Sequence, residues 1–414
     1  MVLNREKVDI NLLIVFGITL MSTMGVAAIT PAFPLIMEEL ELTRSQVAML
    51  ITVFTLPGIF LSPFLGVIAD RLGRKKALVP SLFLFGVSGG MCGFVSDINL
   101  LLFLRFIQGF GAAAVGSLSP TIIGDLYEGQ KRLRHMGQNA SAMSIGTASF
   151  PVVGGALAAF SWHYPFFISW LAIPLGLIVL KLLKNPEPKS SQGFRQYLDG
   201  TLHGMKNKRV VGIFFLVTAL WIIIFGPYLT YLSLLLGDIF NAEPYFIGIV
   251  QFSMSITTAT VASQIGRINR HLKRQTMIKI SFIGYIISML VMPFVPRVEM
   301  FFLVTLFLGL THGMNMPSLQ TLLAEQAPLE HRAAFMSLNG SCLRLGQTVG
   351  PVLATIAFSL GGYQAAFWSG SGMGLVGLLV VFLTLSESKA SNTILAGSKD
   401  DAVEMPNHKP LLLK

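Results

Sequence analysis

Read along the chain, Asp, Glu, Lys and Arg fall in short clusters separated by long uncharged runs. The runs cover residues 10–37, 45–69, 77–96, 98–124, 136–180, 210–237, 244–266, 280–296, 300–324 and 333–386, interrupted only by Arg105 and Arg344. Runs of about 18 or more apolar residues are long enough to cross a bilayer as helix. Hydrocarbon offers the backbone no hydrogen bonds, so each crossing has to satisfy its own. None of the runs alternates as the roughly ten-residue strands of a membrane barrel do. Two runs are long enough to cross twice, with bends near "FSWHYP" (160–165) and "LGGYQ" (360–364). The pattern predicts twelve membrane helices.

The longest polar stretch, 181–209, divides the chain into residues 1–180 and 210–387, with six helices in each part. It reads as a cytoplasmic linker with a short interfacial helix around Phe194–Leu202. The polar residues 388–414 read as a disordered cytoplasmic tail. Shifting the sequence by 200 residues lays Gly66 on Gly266, Arg74 on Arg274, Gly109 on Gly309, Arg132 on Arg332, Gly146 on Gly346 and Pro151 on Pro351. Two equivalent halves are the pattern of parallel repeats in secondary transporters. The expected fold class is all-α integral membrane, with twelve transmembrane helices in two pseudo-symmetric six-helix bundles.

Composition agrees: 53% of residues are hydrophobic and 12% charged, about half the charge of a soluble domain. The net charge of +10 is informative through its placement. Of the 30 Lys and Arg, all but Arg44, Arg105, Arg297 and Arg344 lie in the two tails, the linker and the even-numbered loops. Basic loops stay in the cytoplasm. Both termini are therefore expected there, in a multi-pass protein of the cell membrane. The basic face would meet anionic lipid headgroups rather than nucleic acid. Residues 10–37 are too long for a signal-peptide core and read as a retained first span. Cys92 and Cys342 lie in apolar runs without metal-ligand neighbours and read as small buried hydrophobes. No metal, cofactor or enzymatic constellation is expected, and the chain is read as a monomer.

One knot of charge stands out, "GVIADRLGRKK" (66–76), in the loop between spans two and three. Gly66 allows close helix approach, and Gly73 permits a tight reversal. Asp70 is a lone acid amid bases, and Arg74, Lys75 and Lys76 anchor the turn in the cytoplasm. The stretch resembles the signature loop of the major facilitator superfamily at Gly66, Asp70, Arg71, Gly73, Arg74 and Lys75. The second-half copy, "GRINRHLKR" (266–274), is degenerate, with Arg270 where the first half has Asp70. The resemblance implies a loop that latches the halves together in the outward-open state, through a charge network centred on Asp70.

Span four holds "RFIQGFGAA" (105–113), similar to that superfamily's fourth-span motif in Arg105, Gln108 and Gly109. By resemblance Arg105 lines or braces the central cavity and assists proton coupling. An Arg in hydrocarbon needs partners, so bonding to neighbouring carbonyls is the alternative. Span five, "GQNASAMSIGTASFPVVGG" (137–155), resembles the exporter motif in Gly137, Gly146, Pro151, Gly154 and Gly155, with Phe150 in place of a Gly. Span eleven has its own Gly350–Pro351 pair.

Acids occur only near the ends of the spans, among them Glu38, Asp125, Asp238 and Glu325. His312 in span ten titrates near neutrality and could move a proton, with Asn315 about one turn on; alternatively it bonds a neighbouring helix. Arg105 and Arg344 are intramembrane cations without matching acids, which favours an anionic group on the substrate. Trp221, Tyr228, Tyr231 and Gln251 would contribute to a mainly apolar substrate cavity, with Gly226–Pro227 able to break span seven. Two functions fit: a proton-coupled antiporter exporting small amphiphilic molecules, or a facilitator or importer of an anionic metabolite. No nucleotide-binding motif is present, so an ion gradient would drive transport. If the loop is such a latch, Asp70→Asn should change efflux of a transported compound; a broad compound panel screened in cells bearing each form reports substrate and motif dependence together.

Overall fold

Four of the uncharged runs begin at polar residues that cap helices. Asp9 accepts from the Asn11 amide at 3.0 Å, Asp97 from the Leu100 amide at 2.8 Å and Asn207 from the Arg209 amide at 2.9 Å. Thr43 and Gln46 form a reciprocal capping box. The computed structural model of the protein describes residues 9–184, 207–327 and 332–385, without the side chains at 63, 66–68, 70–71, 133 and 332–334. The expected helix at Phe194–Leu202 and the tail 388–414 lie outside the described residues.

Among the described residues ten segments cross once, and α1, α2, α4 and α7 carry these caps: α1 Ile10–Glu39, α2 Arg44–Leu72, α3 Arg74–Phe94, α4 Ile98–Leu126, α5 Gly129–Ala158, α6 Tyr164–Leu182, α7 Lys208–Phe240, α8 Pro244–Ser263, α9 Arg274–Phe294 and α10 Val298–Gln326. The eleventh apolar segment, Phe335–Thr384, is 50 residues long. As one straight helix it would reach about 75 Å, more than twice a bilayer core. Its backbone is non-helical at Gly361 and at Gly362, whose φ is 63°. Both of its ends lie beside the start of α7: the Phe335 ring is 6.4 Å from that of Phe214, and Thr384 packs on Gly212. The segment therefore doubles back, giving α11 (332–360) and α12 (363–384) and twelve crossings among the described residues. Among the described residues no strand occurs.

The halves repeat one another in their contacts. Arg74 Nε lies 2.8 Å from Asp125 Oδ2, joining α3 to the end of α4. Two hundred residues later Arg274 pairs with Glu325, joining α9 to the end of α10. At the α2–α4 crossing a Cβ on Gly109 would collide with the Phe54 carbonyl, and at the α8–α10 crossing one on Gly309 would collide with that of Met254. Each glycine lets two backbones meet where any side chain would hold them apart. Outward-facing apolar side chains such as Phe103, Leu303 and Leu383 give the surface that lipid requires.

The face bearing Asp9 and Leu385 is called terminal here, and the opposite face distal. On the terminal face Gly73, with φ 92°, turns α2 into α3. There the Tyr127 hydroxyl donates to Asp9 Oδ2 at 2.6 Å. Burial works against the Asp9 charge, yet this bond and the Asn11 and Leu12 amides hold its carboxyl below the usual range. In α7 the Gly226–Pro227 pair does not break the helix. The helix widens into a π-helical stretch over Ile224–Tyr231, where Thr230 Oγ1 donates to the Phe225 carbonyl at 2.7 Å. The two equivalent ion pairs differ in solvation: the Arg74 and Asp125 side chains are 10% and 24% exposed, those of Arg274 and Glu325 32% and 49%. Asp125→Asn should cost about 2 kcal/mol and Glu325→Gln at most about 1 kcal/mol. Melting temperatures of the purified variants in detergent check that order.

Candidate functional site

The halves meet along a seam that is tight at the distal face. Arg44, at the distal end of α2, reaches across to α7 and places Nη2 2.6 Å from Asp238 Oδ2. Tyr363, at the start of α12, donates its hydroxyl to the same carboxylate. The Arg44 guanidinium lies 5.1 Å from the Phe358 ring centre and 5.8 Å from that of Tyr363. Just inside, Thr30 Oγ1 donates to Gln251 Oε1 at 3.1 Å, and Thr55 and Thr348 hydroxyls lie 2.8 Å apart. Where α5 crosses α8, a Cβ on Gly155 would strike the Pro244 carbonyl, and one on Gly248 would strike the Pro151 carbonyl. Gly237 on α7 leaves room for the Pro34 ring of α1.

Towards the terminal face α5 stands clear. The last bond to α8 is from Ser255 Oγ to the Thr147 carbonyl at 3.4 Å; beyond it Ser141 and Ser144 are exposed, and Gly137 has nothing within 4 Å where a Cβ would go. Gly340 on α11 is equally open. The α2–α11 contact reaches deeper, to a bond from Ser337 Oγ to the Ser62 carbonyl at 3.2 Å.

Polar groups the sequence pointed to lie inside each half and between the halves. In the first half Arg105 is 1% exposed. Its Nε donates to the Leu50 carbonyl at 3.2 Å and its Nη1 to Gln108 Oε1 at 2.7 Å, with the Phe54 ring 4.2 Å away. Gln108 Nε2 passes the chain on to Ser169 Oγ of α6 at 3.1 Å. In the second half the Tyr285 hydroxyl lies 3.1 Å from His312 Nδ1, and Asn315 Nδ2 donates to it at 3.4 Å. The Trp221 ring stands edge-on to His312 at 6.2 Å. Trp221 Nε1 and Asn315 Oδ1 are buried without a protein partner. Between the halves lies Arg344, whose Nη1 donates to Gln347 Oε1 at 3.1 Å.

The family model of the Major Facilitator Superfamily matches residues 15–296 and 210–413. The chain belongs to this superfamily. It is 25% identical over 399 residues to the bacillibactin exporter of Bacillus subtilis (strain 168), a match covering 92% of this chain and 97% of that protein. It is 24% identical over 367 residues to the quinolone resistance protein NorA of Staphylococcus aureus, covering 87% and 92% respectively. The crystal structure of the human organic anion transporter MFSD10 (TETRAN) shares the fold, with a TM-score of 0.67 and 19% identity over 90% of this chain and 99% of that one. As a superfamily member the chain is a multi-pass membrane transporter for a small molecule, not an enzyme.

The superfamily motifs fall in distinct places. The side chains of Gly66, Asp70 and Arg71 lie outside the described residues. Lys75 Nζ donates to the Leu183 carbonyl at 3.4 Å, so with Arg74 on Asp125 it ties the signature turn to its own half. Gly146 and Gly154 pack on α1, and Gly346 and Gly350 make the matching approach of α11 to α7. Pro151 and Pro351 are buried beside them. Tyr228 donates to the Gln251 carbonyl at 3.3 Å and Tyr231 to Thr355 Oγ1 at 3.0 Å. Both tyrosines and Gln251 are thus taken up by helix contacts near the distal seam in this state. Tyr285, Ser169, Tyr363 and the pairing of Arg44 with Asp238 were not anticipated from sequence. Arg44 had left one clue, as a rare base on a face almost without bases.

The Arg44 and Asp238 side chains are 38% and 12% exposed, and a partly exposed ion pair is worth about 1 kcal/mol, or about a five-fold shift between states. Asp238→Asn should therefore open the distal seam about five-fold more often, and Gly248→Ala should open it further by steric collision. A Thr30→Cys reporter, in a chain with Cys92 and Cys342 replaced by Ala, measures this as faster labelling by a membrane-impermeant thiol reagent.

Proposed function

We propose that the chain exports small amphiphilic molecules across the cytoplasmic membrane by alternating access, in exchange for protons. The observation that supports this most is the asymmetry of the seam. Backbone lies on backbone at the distal face through Gly155 and Gly248, while α5 stands clear near the terminal face. The basic terminal face, by the charge rule, is cytoplasmic. The conformation is then the one that loads from the cell interior. Two relatives are named for export or for drug resistance, in keeping with outward transport.

The halves, residues 1–180 and 210–387, rock about the substrate as rigid bundles joined by the 181–209 linker. Opening the distal face requires Arg44 and Tyr363 to release Asp238, and requires the α5–α8 backbones to part. On the cytoplasmic side the Asp70 loop would re-form its contacts as the halves close there. The protein acts as a monomer in the lipid of the cell membrane.

His312 is the proton carrier in this reading. It is the one group in the interior of the described spans with an ordinary pKa near neutrality, and it faces Tyr285, Asn315 and Trp221. Protonating it would change the bond to Tyr285, and with it the packing of α9 against α10. The facilitator reading keeps a foothold in one fact: no Asp or Glu occupies the middle of any span.

Transport into inside-out vesicles separates the two. With the vesicle interior made acid, the wild type should concentrate at least one of a panel of cationic, neutral and anionic amphiphilic dyes, and a protonophore should collapse the gradient of dye. Equilibration that ignores the protonophore contradicts antiport. His312→Gln should lose gradient-driven accumulation while keeping dye-for-dye exchange.

A further inference from the structure

The two intramembrane arginines have different surroundings. Arg105 is enclosed by its own half, with its guanidinium occupied by the Leu50 carbonyl, Gln108 and the Phe54 ring. Arg344 belongs to the second half but lies against the first. Its stem rests where a Cβ on Gly58 would sit 2.9 Å from Cδ, and its tip where a Cβ on Gly116 would sit 3.2 Å from Nη2. Ser22 of α1 borders the same space, with its Cβ 3.8 Å from that point. Among the described residues no carboxylate forms an ion pair with Arg344, and Gln347 is its hydrogen-bond acceptor.

A guanidinium carries five N–H donors in a planar fork. Here the Gln347 amide orients the fork, and the facing helices α2 and α4 present glycines where a side chain would fill the space. A cation kept inside a membrane protein without an acid is costly, and it is compensated when an anion arrives. Guanidinium matches carboxylate, sulfonate and phosphate oxygens in bidentate geometry.

From this placement we infer that Arg344 recognises an anionic group on the transported molecule, in a glycine-walled space bounded by Gly58 and Gly116. The inference rests on the transport reading above and narrows its cargo to anionic amphiphiles. Because one half supplies the cation and the other the walls, the rocking of the halves would close on the anion and then release it.

The test uses the whole protein in phosphatidylcholine vesicles without an ion gradient, so that it measures binding alone. Two fluorescent probes share one ring system: anilinonaphthalene sulfonate, which is anionic, and phenylnaphthylamine, which is uncharged. Arg344→Gln should weaken sulfonate binding about ten-fold or more and leave phenylnaphthylamine binding unchanged. Arg344→Lys should fall between. Gly116→Ala keeps the charge and crowds the space, and should also weaken the sulfonate selectively. The inference is overturned if Arg344→Gln leaves the sulfonate unaffected, if it weakens both probes equally, or if the wild type prefers tetraphenylphosphonium. Adding phosphatidylglycerol to the vesicles should leave sulfonate affinity intact; competition would assign Arg344 to a lipid headgroup and overturn a soluble cargo. Failure of proton-driven flux with charge-selective binding intact would remove the export reading alone. Flux with no charge selectivity would remove the anion site alone.

Discussion

Two helix backbones can touch only where a side chain is missing. At the α5–α8 crossing the missing side chains are those of Gly155 and Gly248, each set against a proline carbonyl of the other half. Such a contact is short-ranged and steric, so it is either made or broken. That gives the distal face two states rather than a continuum. The Arg44–Asp238–Tyr363 cluster lies over the same seam and adds a charge-dependent hold. The seam's position far from the terminal face turns this local contact into a lever on the whole protein.

The same logic organises each half internally. Gly109 and Gly309 bring α4 onto α2 and α10 onto α8, and Arg74–Asp125 and Arg274–Glu325 fasten equivalent corners at the terminal face. The scaffold is thus duplicated while the chemistry is not. Arg105, Gln108 and Ser169 occupy the interior of the first half, and Tyr285, His312 and Asn315 that of the second. Equivalent frames with unlike interiors are what the proposed antiport would need, with the halves moving as bodies and only one of them changing protonation. Arg344 lies where the two frames meet.

Much of the fold could be read from the sequence because the bilayer imposes it. Uncharged runs had to be helices, and the Gly361–Gly362 bend was marked by a run too long to cross once. The 200-residue offset found Arg74 and Arg274, and their acids Asp125 and Glu325 share it. Contacts between the halves were not legible. Arg44 and Asp238 are 194 positions apart, and their meeting depends on how two bundles face each other, which no local pattern encodes. Tyr285 was hidden because a lone tyrosine in an apolar run looks like packing. Gly226–Pro227 was read as a break, yet the neighbouring hydrogen bonds re-form as wider π turns. Tyr228, Tyr231 and Gln251 were recognised as polar positions, but which polar groups face a cavity and which face a neighbour depends on helix rotation.

The central claim is that the halves move as two bodies, so that closing one face opens the other. Pulsed electron spin resonance tests it directly, with one label pair at Phe160 and Leu360 on the distal face and another at Lys131 and His271 on the terminal face, all exposed positions. Imposing a proton gradient with a transported dye should lengthen the distal distance and shorten the terminal one in the same sample. Distances that stay fixed, or that lengthen together, would contradict the account.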